Sequence, residues 1–340
     1  MSGLAVTIVV LAFINLTFAA VVVLLRIRNV RRAATLEVRR RRWYPRIIRL
    51  ISDDSDTRKL SELVARHEQG DVVEISWDIA RRLRGSDRSR VQRFAAPLLE
   101  VTTPDLAARR PETRARALQI VSYLGGSVYE PAIVAFLDDP SPLVSVVAAR
   151  ALCQPSRAEW MPEVLDRLVR YEAWSPALTA SMLATVGTGA VLPMREYLGD
   201  RRRPAFARAA VARSLTLLKD LESADVAAAQ LTNGDSELVT ACLHLLAAVG
   251  SEAHADAVRP LIDDDRFFIR AAAMTVLGKL GGPEDGPRIV AAIEPDSAWI
   301  AIRASHALAD LHASSELAAL VDAGGLPAEA AIETLYGGAA

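Results

Sequence analysis

The chain has 340 residues and a net charge of −1, long enough for one large domain behind a separate N-terminal segment. Aromatic residues make up only 5%, Ala and Leu dominate, and no period-two alternation follows residue 25, which excludes a β-sheet architecture and predicts an all-helical one. About ten arginines crowd residues 26–49, so the remainder is acidic, which argues against a general nucleic-acid binder.

Residues 4–25 read LAVTIVVLAFINLTFAAVVVLL, 22 residues without a charge. As a helix this stretch would be about 33 Å long, enough to cross a bilayer core. It has no basic start and exceeds the apolar run of a signal peptide, so residues 1–25 are expected to be a retained transmembrane anchor. An Arg-rich juxtamembrane segment covers 26–50: Arg26, Arg28, Arg31, Arg32, Arg39, Arg40, Arg41 and Arg42, then Trp43 and Tyr44. Positive charge stays on the cytoplasmic side, which predicts a single-pass protein of the cell membrane with its N-terminus outside and the remainder cytoplasmic. Anionic lipid headgroups are the expected partner of these arginines, with Trp43 and Tyr44 in the interfacial belt. Nucleic acid, which the basic-aromatic run RRRRWYPR would also suit, is not expected beside an anchor.

Residues 51–108 read as three helices, near 56–68, 71–84 and 87–101, out of register with the repeats C-terminal to them. Terminal units of stacked repeats are often atypical because one face must be polar, so this stretch is expected to be a diverged capping region.

From 109 to 323 the pattern is periodic. Val121, Leu152, Leu183, Leu215, Leu246, Leu277 and Leu308 are separated by 31, 31, 32, 31, 31 and 31 residues. Four residues earlier stand Ala117, Ala148, Thr179, Val211, Cys242, Ala273 and Ala304, and three later Leu124, Pro155, Val186, Leu218, Val249, Leu280 and Leu311. Spacings of three and four place these on one helical face. Twelve residues after the anchor, Ile133, Val164, Val258, Ile289 and Leu320 open a second apolar stripe. Each period is therefore a two-helix hairpin that buries its stripes only by stacking on its neighbours. The clearest unit spans 263–293: an Asp cluster caps its first helix, Gly281-Gly282 ends it, and Pro283 and Pro287 restart the chain. Asp139, Asp235 and Asp296 stand at similar helix starts, where capping is the expected role. Gly324-Gly325 breaks the pattern before a short helix over 327–336 within the tail 324–340.

Ile269-Arg270, Ala273, Val276-Leu277-Gly278 and Leu280-Gly281, repeated less perfectly by Ile300, Ala304, Leu308 and Leu311, resemble HEAT-like repeats, specifically the short bacterial class also found in phycobilisome lyases. The resemblance covers about 110–323. It implies a right-handed α-solenoid of about seven HEAT-like hairpins of period 31, and a surface that binds other proteins. The units at 173–200 and 203–232 depart from the pattern at Pro176 and Arg195, where the curvature is expected to change.

No catalytic signature stands out. The five histidines lack paired-ligand spacing, Gly278-Lys279-Leu280-Gly281-Gly282 has no strand before it, and no nucleophile motif occurs, so no enzyme activity, metal or cofactor is expected. Cys153 and Cys242 fall in apolar stripes and suit a reducing compartment. The candidate partner-binding residues are those on second helices, Arg167, Arg170, Arg195, Arg259 and Arg288, which could form an interrupted basic ladder meeting an acidic segment. Trp160 and Trp174 join them by residue type, whereas Trp299 is as well suited to core packing. The expected function is a membrane-tethered scaffold or accessory subunit for a protein partner, for example a polysaccharide-synthesising glycosyltransferase. The alternative implied by the repeat class is a lyase-type or chromophore-attachment enzyme.

Overall fold

All seven register residues, Val121, Leu152, Leu183, Leu215, Leu246, Leu277 and Leu308, are buried, as are their partners four positions earlier. The computed structural model describes residues 37–50, 57–294 and 297–336, with Leu16, Phe18, Val23, Arg26 and Ala34 as isolated positions. Two compact units divide the chain, Met1–Ile133 and Val134–Ala340. The first carries 23 Lys and Arg against 14 Asp and Glu, the second 17 against 27, so the units have opposite charge.

In the first unit, helix α1 covers 37–50, followed by α2 (Thr57–Glu62), α3 (Gln69–Ala80), α4 (Gly85–Ala95) and α5 (Pro111–Leu124). Trp43, Ile47 and Leu50 lie one helical turn apart and pack with Val72, Ile79, Phe94 and Leu99 into one core. Pro111 opens α5, where its missing N–H costs nothing. The unit boundary falls within α6 (Glu130–Ala135).

The second unit is an α-solenoid. Its first helices are α7 (Pro142–Leu152), α9 (Pro176–Ala184), α11 (Ala205–Leu218), α13 (Ser236–Val249), α15 (Phe267–Leu280) and α17 (Ala298–Asp310). Alternating with them run second helices, α8 (Met161–Asp166), α10 (Val191–Gly199), α12 (Ala224–Ala228), α14 (Ala255–Val258), α16 (Gly286–Ala291) and α18 (Ser314–Ala323). From α9 onward each first helix packs on the next, and α19 (Gly325–Tyr336) packs on α17 as one more first helix. α7 packs chiefly on the 3₁₀ turn Phe136–Asp138 before it, and less on α8 and the 3₁₀ turns flanking α8. Pro176, an irregularity of the sequence pattern, opens α9 at a position that tolerates it.

The turns follow from the capping residues. Asp235 caps α13 by accepting the Leu238 N–H, and Asp139 accepts the N–H of Ser141 before α7. Asp296 lies outside the described residues. Gly281 ends α15, as its sequence context predicts. Gly278 inside α15 serves packing: a Cβ there would lie 2.7 Å from the Ala307 Cα, so α15 and α17 meet backbone to backbone.

Among the described residues no single helix is long and apolar enough to cross a membrane. The longest, such as α13, runs 14 residues, about 21 Å against a ~30 Å bilayer core. This corrects the expectation of a single-pass protein of the cell membrane with its N-terminus outside. Of the apolar stretch 4–25 on which that expectation rested, all but Leu16, Phe18 and Val23 lie outside the described residues, as do Arg28, Arg31 and Arg32.

Candidate functional site

Three arginines of α1 pair with carboxylates of the same unit. Arg39 pairs with Asp71, Arg40 with Asp78 at 3.0 Å, and Arg42 with Glu68 at 3.0 Å. Trp43 is fully buried, and its Nε1 donates to the other Glu68 oxygen at 3.2 Å. Desolvating Glu68 is tolerable only because both its oxygens are satisfied. These residues fasten α1 to the turn before α3 and to α3 itself, and Trp43 belongs to a core rather than an interfacial belt. Arg26, Arg41, Arg42 and Tyr44 are exposed, Arg41 bonded to Glu37 one turn back and Arg40 stacked over the Tyr44 ring.

The second-helix arginines are likewise committed. Arg167 bonds Asp138 through Nη2 at 2.8 Å, which holds the Asp138 carboxyl below its ordinary range. Arg170 donates to the Asp139 carbonyl. Arg195 Nε lies 3.0 Å from Asp220 Oδ2, an ion pair without hydrogen-bond alignment, and its Nη1 reaches Glu222. Arg259 takes Asp285 in two parallel bonds and also meets Asp256 and Glu284. Four of the five predicted ladder residues thus join neighbouring repeats, and their charge is engaged within the stack. Arg288 is exposed on α16. Trp160 and Trp174 are half-buried, the latter two residues before α9.

A different surface emerges from the register. Nine residues before successive anchors stand Leu143, Trp174, Phe206, Glu237, Phe268 and Trp299. Leu143, Phe206, Glu237, Phe268 and Trp299 are each the second residue of their helix, α7, α11, α13, α15 and α17. A position in the first turn with its side chain outside the buried stripe meets solvent in every repeat, so polar residues are the default. Leu143, Phe268 and Trp299 are instead 39%, 40% and 52% exposed, and the adjoining Phe267 is 54% exposed. The Phe267 and Phe268 rings meet edge to face at 5.6 Å, and the Arg303 guanidinium lies 4.6 Å over the Trp299 ring. Glu237, which accepts from Arg213 at 2.7 Å, interrupts the series in chemical type, as does Glu112 at the equivalent place in α5. The first helices from α9 onward pack in succession about 10 Å apart, which sets exposed Phe268 and Trp299 on neighbouring helices at one edge of the stack, with Trp174 and Phe206 half-buried in the same register and Leu143 apart on α7. A single exposed apolar residue is ordinary, but a recurrent one in fixed register is a surface property. Its spacing is legible in the sequence, but it lies outside the core stripe and the core period alone does not point to it.

Chemistry elsewhere is sparse. Among the described residues no cluster of His, Cys, Asp or Glu has the arrangement to hold a metal ion. Cys153 and Cys242 are buried, and burial pushes both thiols up to about 12.

The class defined by this geometry is the helical-repeat α-solenoid. No protein-family model and no curated protein matches the chain. Among solved structures it is similar to Kap121p bound to RanGTP, at 13% identity and a TM-score of 0.39, over 82% of this chain and 42% of that one. It is similar to Kap121p bound to Ste12p at 13% identity and a TM-score of 0.41, over 80% and 41%. An engineered protein matches at 15% identity and a TM-score of 0.41, over 85% and 97%. The chain spans about two-fifths of the Kap121p chains it matches, and likeness at this level carries no argument about function.

Proposed function

We propose that this chain is a helical-repeat scaffold that binds a protein partner along the edge ridge of its second unit, without catalysis of its own. The observation that supports this reading is the recurrence of exposed Leu143, Phe268 and Trp299, with Phe267, at equivalent helix starts. Large aromatic side chains anchor interfaces because they bury much area while losing few rotamers. Phe267, Phe268 and Trp299 would sit at the centre, with an apolar stretch of the partner lying across them. The arginines of the second helices set the spacing between repeats and so hold the ridge in shape.

The test compares the full chain with a Phe267→Ser, Phe268→Ser, Trp299→Ser variant in cross-linking and co-purification from the source organism. A partner recovered with the parent and lost with the variant, at unchanged thermal stability, is the expected result. Equal recovery of the same partner by both proteins would remove the ridge as its binding surface.

A further inference from the structure

Arg208, in the first turns of α11, is only 1% exposed, yet among the described residues no carboxylate pairs with its guanidinium. Its Nε donates to the Leu198 carbonyl at 2.9 Å and its Nη2 to Gln230 Oε1. Burying a cation among neutral acceptors is costly, and desolvation holds Arg208 below the usual arginine range. No carboxylate touches this charge, and Asp200 acts on it only at longer range.

A cavity of about 200 Å³ lies beside it, lined by Arg201, Ala229, Gln230, Thr232, Asn233 and Gly234. Each polar side chain of this lining can donate, and the Ala229 and Gly234 carbonyls accept from Arg201 and Arg266. Gln230 is 3% exposed and commits its oxygen to Arg208, which leaves Nε2 to give. Asn233 Oδ1 accepts the Asp235 N–H at 2.8 Å, which leaves its Nδ2. Thr232 adds a hydroxyl. Arg201 reaches the Ala229 carbonyl at only 3.4 Å and, among the described residues, has no acid. No carboxylate lines the cavity. Acids of the adjoining turns are engaged: Asp200 with Arg202 and Arg203, Asp235 with the Leu238 N–H, and Asp264 with Arg266.

We propose that this cavity binds a phosphate-type oxyanion, either free or as the phosphoryl group of a monoester, held by Arg201, Gln230, Thr232 and Asn233 over the buried charge of Arg208. The acidic excess of the second unit does not prevent this. Charges beyond about 8 Å are largely screened at physiological ionic strength, whereas charge-assisted bonds at contact are not. The site is independent of the proposed partner ridge and goes beyond that reading.

Calorimetric titration of the full chain with inorganic phosphate, and separately with O-phosphoserine, at fixed ionic strength tests it. Saturable binding near one equivalent is expected, weakened about tenfold or more by Arg201→Gln, since one charge-assisted bond is lost. Arg201 is exposed, so that variant keeps its fold, and Thr232→Val provides a second, neutral probe of the same cavity. Tighter binding of inorganic phosphate assigns the site to a free ion, and tighter binding of O-phosphoserine to a group carried on a larger ligand. Absence of saturable binding by both probes, or equal affinity in Arg201→Gln, would overturn the proposal.

Discussion

Arg259 and Asp285 form a parallel two-bond pair, Nε to Oδ1 at 2.7 Å and Nη2 to Oδ2 at 3.0 Å, joining the turn after α14 to the start of α16. Asp285 is 2% exposed and also accepts the Gly282 N–H at 3.1 Å. One carboxylate therefore closes the end of its own hairpin and fixes the spacing to the previous one.

Removing that charge leaves the guanidinium with Asp256 and Glu284 but without its buried two-bond partner. Asp285→Asn is expected to lower the unfolding free energy by about 1–2 kcal/mol, since Arg259 is partly exposed and keeps two other carboxylates. Urea denaturation followed by circular dichroism measures it. A loss below about 0.5 kcal/mol would class the pair with inert surface ion pairs.

The same residue carries a pH signature. Burial raises the Asp285 pKa, but the bonds from Arg259 and the Gly282 N–H outweigh it and leave it below the ordinary value of 3.8. A depressed folded pKa contributes stability that is present above the unfolded value and lost as pH falls through the folded one. Asp138 and Asp264, held low by Arg167 and Arg266, act in the same sense. The melting temperature should thus hold from neutrality to about pH 4 and drop below it, and Asp285→Asn should flatten that drop. A profile identical to the parent's would detach Asp285 from the acid transition.

Gly278 should resist even the smallest substitution. Glycine in a helix interior ordinarily costs about 1 kcal/mol relative to alanine, so Gly278→Ala would stabilise an isolated helix. Here the added Cβ would meet Ala307 backbone at 2.7 Å, and α15 and α17 must separate. A net destabilisation of about 1–3 kcal/mol is expected, measured by thermal melting. A gain in stability would show that the two helices part at little cost.

Trp43 and Arg41 separate burial from charge in α1. Trp43→Ala removes a fully buried ring and the Glu68 partner, and should cost about 3–5 kcal/mol. Arg41→Ala, at an exposed position, should change stability by less than about 0.5 kcal/mol. Both are read by denaturant unfolding, and similar costs for the two would contradict the packing of α1.

The repeat architecture was legible because its cause is local. Apolar residues every three or four positions must share a helix face, and Leu183, Leu246 and Leu308 lie buried where steps of 31 or 32 residues place them. Asp235 and Gly281 marked helix ends for equally local reasons, a side-chain acceptor and a chain stop. Partnerships between long side chains were not legible. Arg259 had Asp256, Glu284 and Asp285 all within reach, and only the stack selects the buried carboxylate for the two-bond geometry. Trp43 stood among arginines that suit a membrane surface, until α3 and α4 covered it. Arg201 and residues 229–234 are adjacent only because neighbouring hairpins stack. Sequence by itself determined the helices, their ends and their repeat. The tertiary structure decided which charges are neutralised and which aromatic rings are left to solvent, because side-chain pairing depends on distances between repeats that periodicity does not specify.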